Sequence, residues 1–250
     1  MPVKLSVVII TFNEERNIGS CLESVKNVAD DIVVVDSYST DNTAEICAQH
    51  GTRFVSRAFT GYVEQKNFAN SQAVYPHILS LDADEVVTPE LENSVLAIKQ
   101  NWQFAGYYLV RLTNYCGSWI RHGGWYPDKK LRLYNREQGQ WEGLLLHEVY
   151  QIHSNQPTGL LKGDLLHYSF HTLEDHLKQI NHFTTIACQE LKLKNKRPGL
   201  WPMLVKPPFK FFQMYFLKFG WRDGFAGFCV AVLSGYAVFV KYAKLYWTNR

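Results

Sequence analysis

Strand and helix patterns alternate through the first 100 residues of the chain. Runs rich in β-branched residues occupy 4–13, 30–37, 52–59 and 76–85, and segments with apolar residues at helical spacing follow them at 14–28, 39–51, 61–73 and 89–100. Strands separated by helices of this size run parallel in one sheet, joined by short crossovers. We therefore predict an α/β fold with a mostly parallel, twisted sheet flanked by helices.

Local signals support the predicted helix boundaries. Asp41 stands at the start of the segment 39–51 as a candidate N-cap, and Gly51 ends that segment. Pro89 fits the first turn of the helix at 89–100, because the N–H that proline lacks has no partner there.

The pattern changes after about residue 103, where four strand-like segments follow one another without a long helix between them. They indicate an antiparallel addition to the sheet at 106–117, 130–136, 145–152 and 159–170. The period of residues 172–195 predicts a helix, and the prolines at 195–208 predict a break in the chain.

The 250 residues suffice for one large domain with an appended part. We expect a main domain at 1–195, with an alternating strand–helix half at 1–102 and a strand-rich half at 103–195. A C-terminal helical subdomain at 196–250 would follow it.

Charged residues are distributed unevenly along the chain. Residues 192–250 contain eleven Lys and Arg against one acid, Asp223, and 15 of the 36 aromatic residues. Residues 1–191 contain 15 basic and 22 acidic side chains, although the net charge of the whole chain is only +3. The acidic front and the basic, aromatic end suggest two different roles.

Composition excludes several classes of protein. A chain with 46% hydrophobic and 20% charged residues is neither disordered nor uniformly embedded in a membrane. The apolar run Leu5–Ile10 is too short for a signal peptide. The five cysteines are scattered without a CxxC pair, so we expect reduced thiols in a cytosolic compartment and no zinc site.

Polar residues collect where three predicted strands end. Ligands bind at the carboxyl ends of the strands in an open parallel sheet. Asp36 and Asp41 have a simpler interpretation as helix caps, but three strand ends with suitable groups favour a ligand site. These residues are Thr11, Asn13 and Glu14, then Asp36, Ser37 and Asp41, then Asp82 and Asp84.

The segment SLDADEVV places Asp82, Asp84 and Glu85 within four residues after an apolar run. Carboxylates this close repel one another. A solvated turn is one explanation. The other is that Asp82 and Asp84 offer hard oxygen ligands to Mg²⁺ or Mn²⁺ bridging phosphates.

Longer blocks of the sequence resemble a known family. The segments SVVIITFNEERNIGSCLESV, DDIVVVDSYSTDNTAEI, QKNFA and LSLDADE are similar, in this order, to blocks of the family 2, GT-A type glycosyltransferases. The segment WYPDKKLRLYNREQGQWEGLLLHE resembles the acceptor-side block of bacterial lipopolysaccharide core β-1,4-glucosyltransferases. The resemblance spans nearly the whole chain and implies the GT-A fold.

The resemblance implies roles for residues at the first two strand ends. Thr11, Asn13 and Glu14 match the nucleotide-binding loop after the first strand. Asp36 matches the acid on the uracil or ribose side of the nucleotide, and Ser37 follows it at the same strand end.

The resemblance also assigns the residues around the diphosphate. Lys66 matches a basic position near that group. Asp82 and Asp84 match the DxD element, with Asp82 toward the ribose or the metal and Asp84 on the metal. Glu148 matches the general base and Asp128 is our second candidate, since one base opposite the leaving group gives inversion. For each of the two, an ion pair with Lys or Arg is the alternative.

Other residues in the second half leave their roles open. Among His122, His147 and His153 no pair has HxxxH spacing, so a zinc site is not expected there. Trp119, Trp125 and Trp141 fit the core or a platform for a sugar ring. Arg132 and Arg136 fit either a phosphorylated acceptor or the outer face of an edge strand.

The end of the chain fits a membrane surface. Residues 207–250 mix aromatic rings with Lys and Arg, as in helices that lie at an anionic lipid interface. A spanning helix over the uncharged residues 224–240, or packing on the protein itself, are the alternatives. Gly224, Gly227, Ser234 and Gly235 favour close helix packing over a simple span. Nucleic acid is a poor match, since no recognisable module accompanies the charge.

The predicted function is an inverting, metal-dependent glycosyltransferase. The resemblance implies UDP-glucose as donor, Mg²⁺ or Mn²⁺ as cofactor, and a lipopolysaccharide-core or other lipid-linked saccharide as acceptor. It also implies a cytoplasmic location, peripheral on the inner face of the bacterial membrane. A non-catalytic protein that binds nucleotide sugars or serves as a membrane scaffold is the alternative. A nucleotidyltransferase is a weaker one, because the first loop lacks a Gly-rich phosphate cradle. The sequence leaves the oligomeric state open.

Overall fold

Four parallel strands form one half of the main sheet. The computed structural model describes residues 2–143, 148–153, 155–194 and 200–248. The parallel strands are β1 (Leu5–Thr11), β2 (Asp31–Asp36), β3 (Arg53–Ser56) and β4 (His77–Asp82), in the order β3-β2-β1-β4. The helices α1 (Ile18–Val25), α2 (Thr43–Gln49), α3 (Tyr62–Gln72) and α4 (Pro89–Gln100) accompany them.

The second half of the main sheet is antiparallel. Beyond β4 the order continues β8-β6-β11-β5, and β7 pairs with β6. A separate two-stranded sheet is formed by β9 and β10, after a short 3₁₀ helix at Arg136–Gln138. The strands are β5 (Glu85–Val87), β6 (Gly106–Tyr115), β7 (Ser118–Ile120), β8 (Asp128–Asn135), β9 (Gly139–Glu142), β10 (Val149–Ile152) and β11 (Thr158–Phe170).

The central strands are apolar on both faces because both faces are covered. In β1, Val7 and Ile9 enter one buried cluster, whereas Val8 enters a second cluster on the opposite face. This burial fixes the strand register, since a slip of one residue would exchange the two faces.

The chain forms two compact units. The first contains residues 1–111 and 128–167, and the second contains residues 112–127 and 168–250. Two strands, β6 and β11, have residues in both units. The expected domain boundary after residue 195 falls outside the described residues and stays a prediction.

The second unit is mainly helical. The helix α5 (Leu173–Leu193) begins with a capping box, in which Thr172 and Asp175 bond each other's backbone N–H. The helices α6 (Leu200–Phe212) and α7 (Gly224–Thr248) are joined by a π-helical turn at Gln213–Leu217 and a 3₁₀ helix at Gly220–Asp223. The buried cluster of the second unit includes Tyr115, Phe170 and Met214.

Two sequence predictions are wrong. The expected break at 195–208 does not occur over residues 200–208, because α6 continues through Pro207 and Pro208 and is packed against α7. The predicted strand at 76–85 is in fact two strands, since β4 ends at Asp82 and β5 begins at Glu85 in another part of the sheet.

The expectation of close glycine packing in α7 holds at Gly227 and Gly235 but not at Gly224, where a Cβ would meet nothing within 4 Å. A Cβ on Gly227 would lie 2.0 Å from the Gly220 carbonyl oxygen, and one on Gly235 would lie 2.9 Å from that of Pro207. The five cysteines form no disulfide with one another. The predicted fold class, a twisted sheet with a parallel part, an antiparallel addition and a C-terminal helical part, is confirmed.

Candidate active site

The three predicted strand ends meet at one edge of the sheet. The register places Thr11 of β1 beside Asp36 of β2, and Ile10 of β1 beside Asp82 of β4. A cavity of about 520 Å³ opens there. It is lined by Ile10, Thr11, Phe12, Glu14, Ser37, Phe59, Tyr62, Gln65, Asp82, Ala83 and Asp84. The predicted grouping of polar residues at one site is therefore what the structure shows.

Asn13 joins the loop after β1 to the loop after β2. Its backbone has φ of +54°, its N–H donates to Ser39 Oγ at 2.8 Å, and its Oδ1 accepts from the Thr40 N–H at 2.8 Å. Asparagine tolerates this left-handed conformation better than most residues. Asn13 thus holds the two loops together, although it is absent from the cavity lining.

The acids after β2 have mainly structural bonds. Asp36 is buried and accepts from the N–H and the hydroxyl of Ser39. Asp41 accepts from the N–H and the hydroxyl of Thr43, but the N-cap of α2 is Asn42, so the prediction of Asp41 as N-cap is wrong by one residue. Ser37 lines the cavity and accepts from Gln65 Nε2 at 3.2 Å.

Two side chains of the β1 end face an unusual environment. Thr11 Oγ1 is buried and has no hydrogen-bond partner among the described residues. Burial, and to a smaller extent the nearby charge of Asp84, raise the pKa of Glu14 to about 7. A cation in this region would relieve the repulsion between the two acids.

Exposed aromatic rings around the cavity were missed in the sequence. Phe12 and Phe59 line it and are 56% and 49% exposed. Tyr62 lies edge-on to Phe59 with ring centroids 5.0 Å apart. Large apolar rings left exposed at a cavity are suited to stack on a planar ring of a ligand. The only signal in the sequence was a Phe inside the polar loop TFNEE.

Asp82 lies between two cations. Lys66 Nζ is 3.0 Å from its Oδ1, and Arg132 Nη2 is 2.5 Å from its Oδ2. Burial alone would raise the pKa of Asp82, but the charges of Arg132 and Lys66 outweigh burial and lower it well below its usual range. With both oxygens engaged, Asp82 is less available than Asp84 as a metal ligand.

Asp84 has a different partner. Its Oδ2 lies 3.1 Å from His167 Nε2. Burial opposes ionisation of Asp84, but the interaction with His167 lowers its pKa overall. His167 was missed because its place depends on the pairing of β11 with β5, which sets it opposite Glu85. No group of three or more His, Cys, Asp or Glu side chains within the described parts of the chain is arranged to hold a metal.

Glu148 lies beside Lys66, at 3.4 Å between Oε1 and Nζ. Lys66 is buried, and its ammonium group also lies 4.6 Å from the centroid of the Trp141 ring. Lys66 therefore connects the candidate base to Asp82 instead of standing free in the cavity. The neighbouring residues 144–147, which the sequence assigned to a strand, lie outside the described residues.

Asp128 has the ion pairs named as its alternative. Its Oδ2 is 2.8 Å from Arg111 Nη2, and its Oδ1 is 3.3 Å from Lys130 Nζ. Asp128 opposes Arg111 directly in the β6–β8 ladder and does not line the cavity.

The remaining candidates are mainly structural. Of the two alternatives left open for Arg132, the outer face of an edge strand does not apply, because β8 lies between β4 and β6. Arg136 follows β8 and donates to the carbonyls of Asn70 and Ala73 at the end of α3. Trp141 is buried and donates to the Tyr134 hydroxyl, and Trp125 packs against the cluster around Phe170. These two tryptophans thus fit the core alternative.

The cavity at the sheet edge and the D-A-D element agree with the glycosyltransferase class that the sequence resembles. The model of glycosyl transferase family 2 matches residues 6–152. The chain therefore belongs to glycosyl transferase family 2.

Relatives match along almost the whole chain. It is 29% identical to the lipopolysaccharide core biosynthesis glycosyltransferase LpsC of Rhizobium meliloti, over 97% of this chain and 92% of that protein. It is 28% identical to an uncharacterized glycosyltransferase of Rickettsia typhi, over 97% of this chain and 86% of the relative.

Solved structures align more loosely. S. aureus TarS 1–349 covers 96% of this chain and 91% of its own, with 16% identity and a TM-score of 0.48. Glucosyl-3-phosphoglycerate synthase from Mycobacterium tuberculosis, in complex with Mn²⁺ and UDP-glucose, aligns over 45% of this chain with 24% identity and a TM-score of 0.37. That alignment spans less than half of the synthase, 44% of its chain.

Proposed function

We propose that this protein transfers a hexose from a nucleotide diphosphate sugar to a saccharide hydroxyl, with inversion at the sugar carbon. The observation that carries the proposal is the strand-end cavity, which has Asp84 in its lining and Lys66 linking Asp82 to Glu148. Phe12 and Phe59 are suited to stack on the base, and the polar groups of the β1 and β2 ends surround the nucleotide.

The side chains of the site fit a divalent cation that would be bound by the protein and by the substrate together. Asp84 and His167 are the residues that would hold it, with Asp82 oriented by its two cations toward the ribose side. Mg²⁺ typically binds one or two carboxylates and completes its shell with substrate phosphates and water. The cation would stabilise the charge that develops on the departing diphosphate.

Glu148 is the proposed general base. The acceptor hydroxyl gives its proton to Glu148, its oxygen forms a bond to the anomeric carbon, and the bond from that carbon to the diphosphate breaks. Attack opposite the leaving group inverts the configuration. Asp128, held by Arg111 and Lys130, is the weaker candidate.

The donor and acceptor follow from the resemblance. We propose UDP-glucose as donor and a lipopolysaccharide-core or other lipid-linked saccharide as acceptor. The likeness to LpsC along 97% of the chain supports an acceptor of this class.

The test is a panel of nucleotide sugars with Mn²⁺, monitored by calorimetry for binding and by nucleotide release for turnover. We expect Asp84→Asn to lose the metal-dependent part of donor binding. Glu148→Gln should keep donor affinity and lower turnover on the order of 10² to 10⁴-fold. Asp128→Asn is the matched control and should stay within a few-fold of wild type. A wild-type protein that binds donors without turning them over with any acceptor would instead indicate a non-catalytic binding protein.

We further propose that the second unit attaches the enzyme to an anionic membrane surface. A regular stripe of apolar side chains faces outward along α6, at spacings of three and four residues. Its end residue Trp201 is 76% exposed. Soluble helices present polar side chains at such positions. The stripe consists of Trp201, Leu204, Val205, Pro208, Phe209 and Phe212.

The helix α7 carries a second exposed apolar set. Within the described residues, Gly220–Trp247 is one helical stretch long and apolar enough to cross a membrane. Phe225 is 79% exposed, and Phe228, Val232, Tyr236 and Phe239 are also exposed. Both helices contain Lys side chains. Asp223 is the single acid of residues 192–250, and it pairs with His122. Apolar rings with surrounding cations favour an interfacial position on the inner face of the bacterial membrane.

Vesicle co-sedimentation tests this attachment. We expect binding to vesicles with anionic lipid, and release by high salt or by neutralising Lys206, Lys210, Lys218 and Arg222 together. The control neutralises Lys4, Arg16, Lys26 and Lys162 in the first unit and should retain binding. Retention through carbonate and high salt would indicate a spanning helix. Absence of binding to any vesicle would exclude the membrane as partner.

A further inference from the structure

The three acids of the segment Asp82–Glu85 have three different environments. Asp82 pairs with Lys66 and Arg132, and Asp84 pairs with His167. Glu85 is 0% exposed and does not line the cavity. The proposed mechanism assigns Glu85 no role, although a fully buried carboxylate is costly unless it is well paired.

Glu85 receives three hydrogen bonds from three segments of the chain. Its Oε1 accepts from Arg132 Nη2 at 3.1 Å and from Arg111 Nη1 at 3.3 Å. Its Oε2 accepts from the backbone N–H of Asp82 at 2.9 Å. The carboxylate therefore joins strand β8, strand β6 and the end of strand β4.

We propose that Glu85 is a positioning residue of the active site, which holds Arg132 against Asp82 and fixes the turn that presents Asp84. The inference rests on the proposed function, since it concerns the geometry of the proposed cation site.

The first part of the argument concerns Arg132. Its Nη2 is shared between Asp82 Oδ2 and Glu85 Oε1, so the two carboxylates fix the guanidinium from two directions. Arg111 pairs with the same Glu85 oxygen and also with Asp128. Without the charge of Glu85, the two guanidinium groups would repel each other with only Asp82 and Asp128 to offset their charge, and Arg132 would lose its second anchor.

The second part concerns the turn between β4 and β5. The bond from the Asp82 N–H to Glu85 Oε2 closes this turn, which consists of Ala83 and Asp84. Glu85 also opposes His167 in the β5–β11 ladder. The position of Glu85 thus determines the turn that carries Asp84. It also determines the strand pair that brings His167 Nε2 within 3.1 Å of Asp84 Oδ2.

The substitution Glu85→Gln tests the inference. The amide keeps the size of the side chain but offers one acceptor oxygen in place of two and carries no charge. Calorimetry would measure UDP binding with and without Mn²⁺, together with thermal unfolding. We expect UDP affinity without Mn²⁺ to change less than about twofold and the gain in affinity from Mn²⁺ to fall at least about tenfold. Glu45→Gln, an exposed site on α2, is the control and should keep the wild-type gain.

A second variant covers the case in which Glu85→Gln does not fold. The double substitution Glu85→Gln/Arg111→Gln removes one acid and one base, so the buried charges stay balanced. It should fold and still lack the Mn²⁺-dependent gain. A wild-type gain in either folded variant overturns the positioning role, and so does failure of both to fold, which would make Glu85 a purely structural residue. If the wild-type protein itself shows no Mn²⁺-dependent gain, the proposed cation site is wrong.

Discussion

Lys66 is the side chain whose removal should cost most at this site. Its ammonium group is 2% exposed, lies 3.0 Å from Asp82 and 3.4 Å from Glu148, and faces the Trp141 ring. Removing one partner of a buried ion pair costs about 3–5 kcal/mol when the other charge is left alone. Here Asp82 keeps Arg132, and Asp82 and Glu148 are 26% and 23% exposed, so water reaches both.

We therefore expect Lys66→Met to lower the free energy of unfolding by about 2–3 kcal/mol. Methionine retains an apolar stem of similar volume, so the cavity contribution is small. For a chain of this size each kcal/mol shifts Tm by about 2–4 °C, which gives a decrease of about 4–12 °C.

Thermal unfolding at neutral pH, followed by circular dichroism, measures this decrease. Lys4→Met is the matched control, because Lys4 is 63% exposed and pairs with Asp30 at the surface. An exposed pair contributes about 0–1 kcal/mol, so its Tm should change little. A Tm of Lys66→Met equal to that of Lys4→Met would refute the reasoning, since Arg132 and water would then suffice for Asp82.

Two further predictions concern pH. Burial raises the pKa of Glu14 from 4.5 to about 7, so ionisation of this side chain lowers the stability of the fold as pH rises through that range. Glu14→Gln should therefore be more stable, relative to wild type, at pH 8 than at pH 4.5. Burial lowers the pKa of His176 from 6.5 to about 4, so the unfolded chain binds the proton first and stability is lost as pH falls between these values. The Tm of His176→Gln should accordingly fall less than that of wild type between pH 7 and pH 5, and an equal fall would contradict the assignment.

Local sequence patterns predicted the parallel half of the fold and the meeting of three strand ends. In β1, β2 and β4 the β-branched runs, the intervening helices and the rule for parallel crossovers all lead to the same arrangement. Thr11, Asp36 and Asp82 lie side by side because each terminates one of these strands.

The parts that the sequence did not predict depend on pairings between distant segments. The environment of Asp84 depends on His167, and that of Asp82 on Arg132. No local pattern indicates that β5 leaves β4 and pairs with β11, or that β8 lies in the interior of the sheet. Pro207 and Pro208 likewise suggested a break, whereas packing against α7 overrides their local preference.

The pairing of β5 with β11 also has a consequence for synthesis. His167 leaves the ribosome about 80 residues after Asp84, which at 5–20 residues per second is a delay of roughly 4–16 s. During that interval the nascent chain already contains β1 to β4 and every residue that lines the cavity, but Asp84 lacks its imidazole partner. The environment of Asp84 in the folded protein is therefore complete only when β11 joins the sheet.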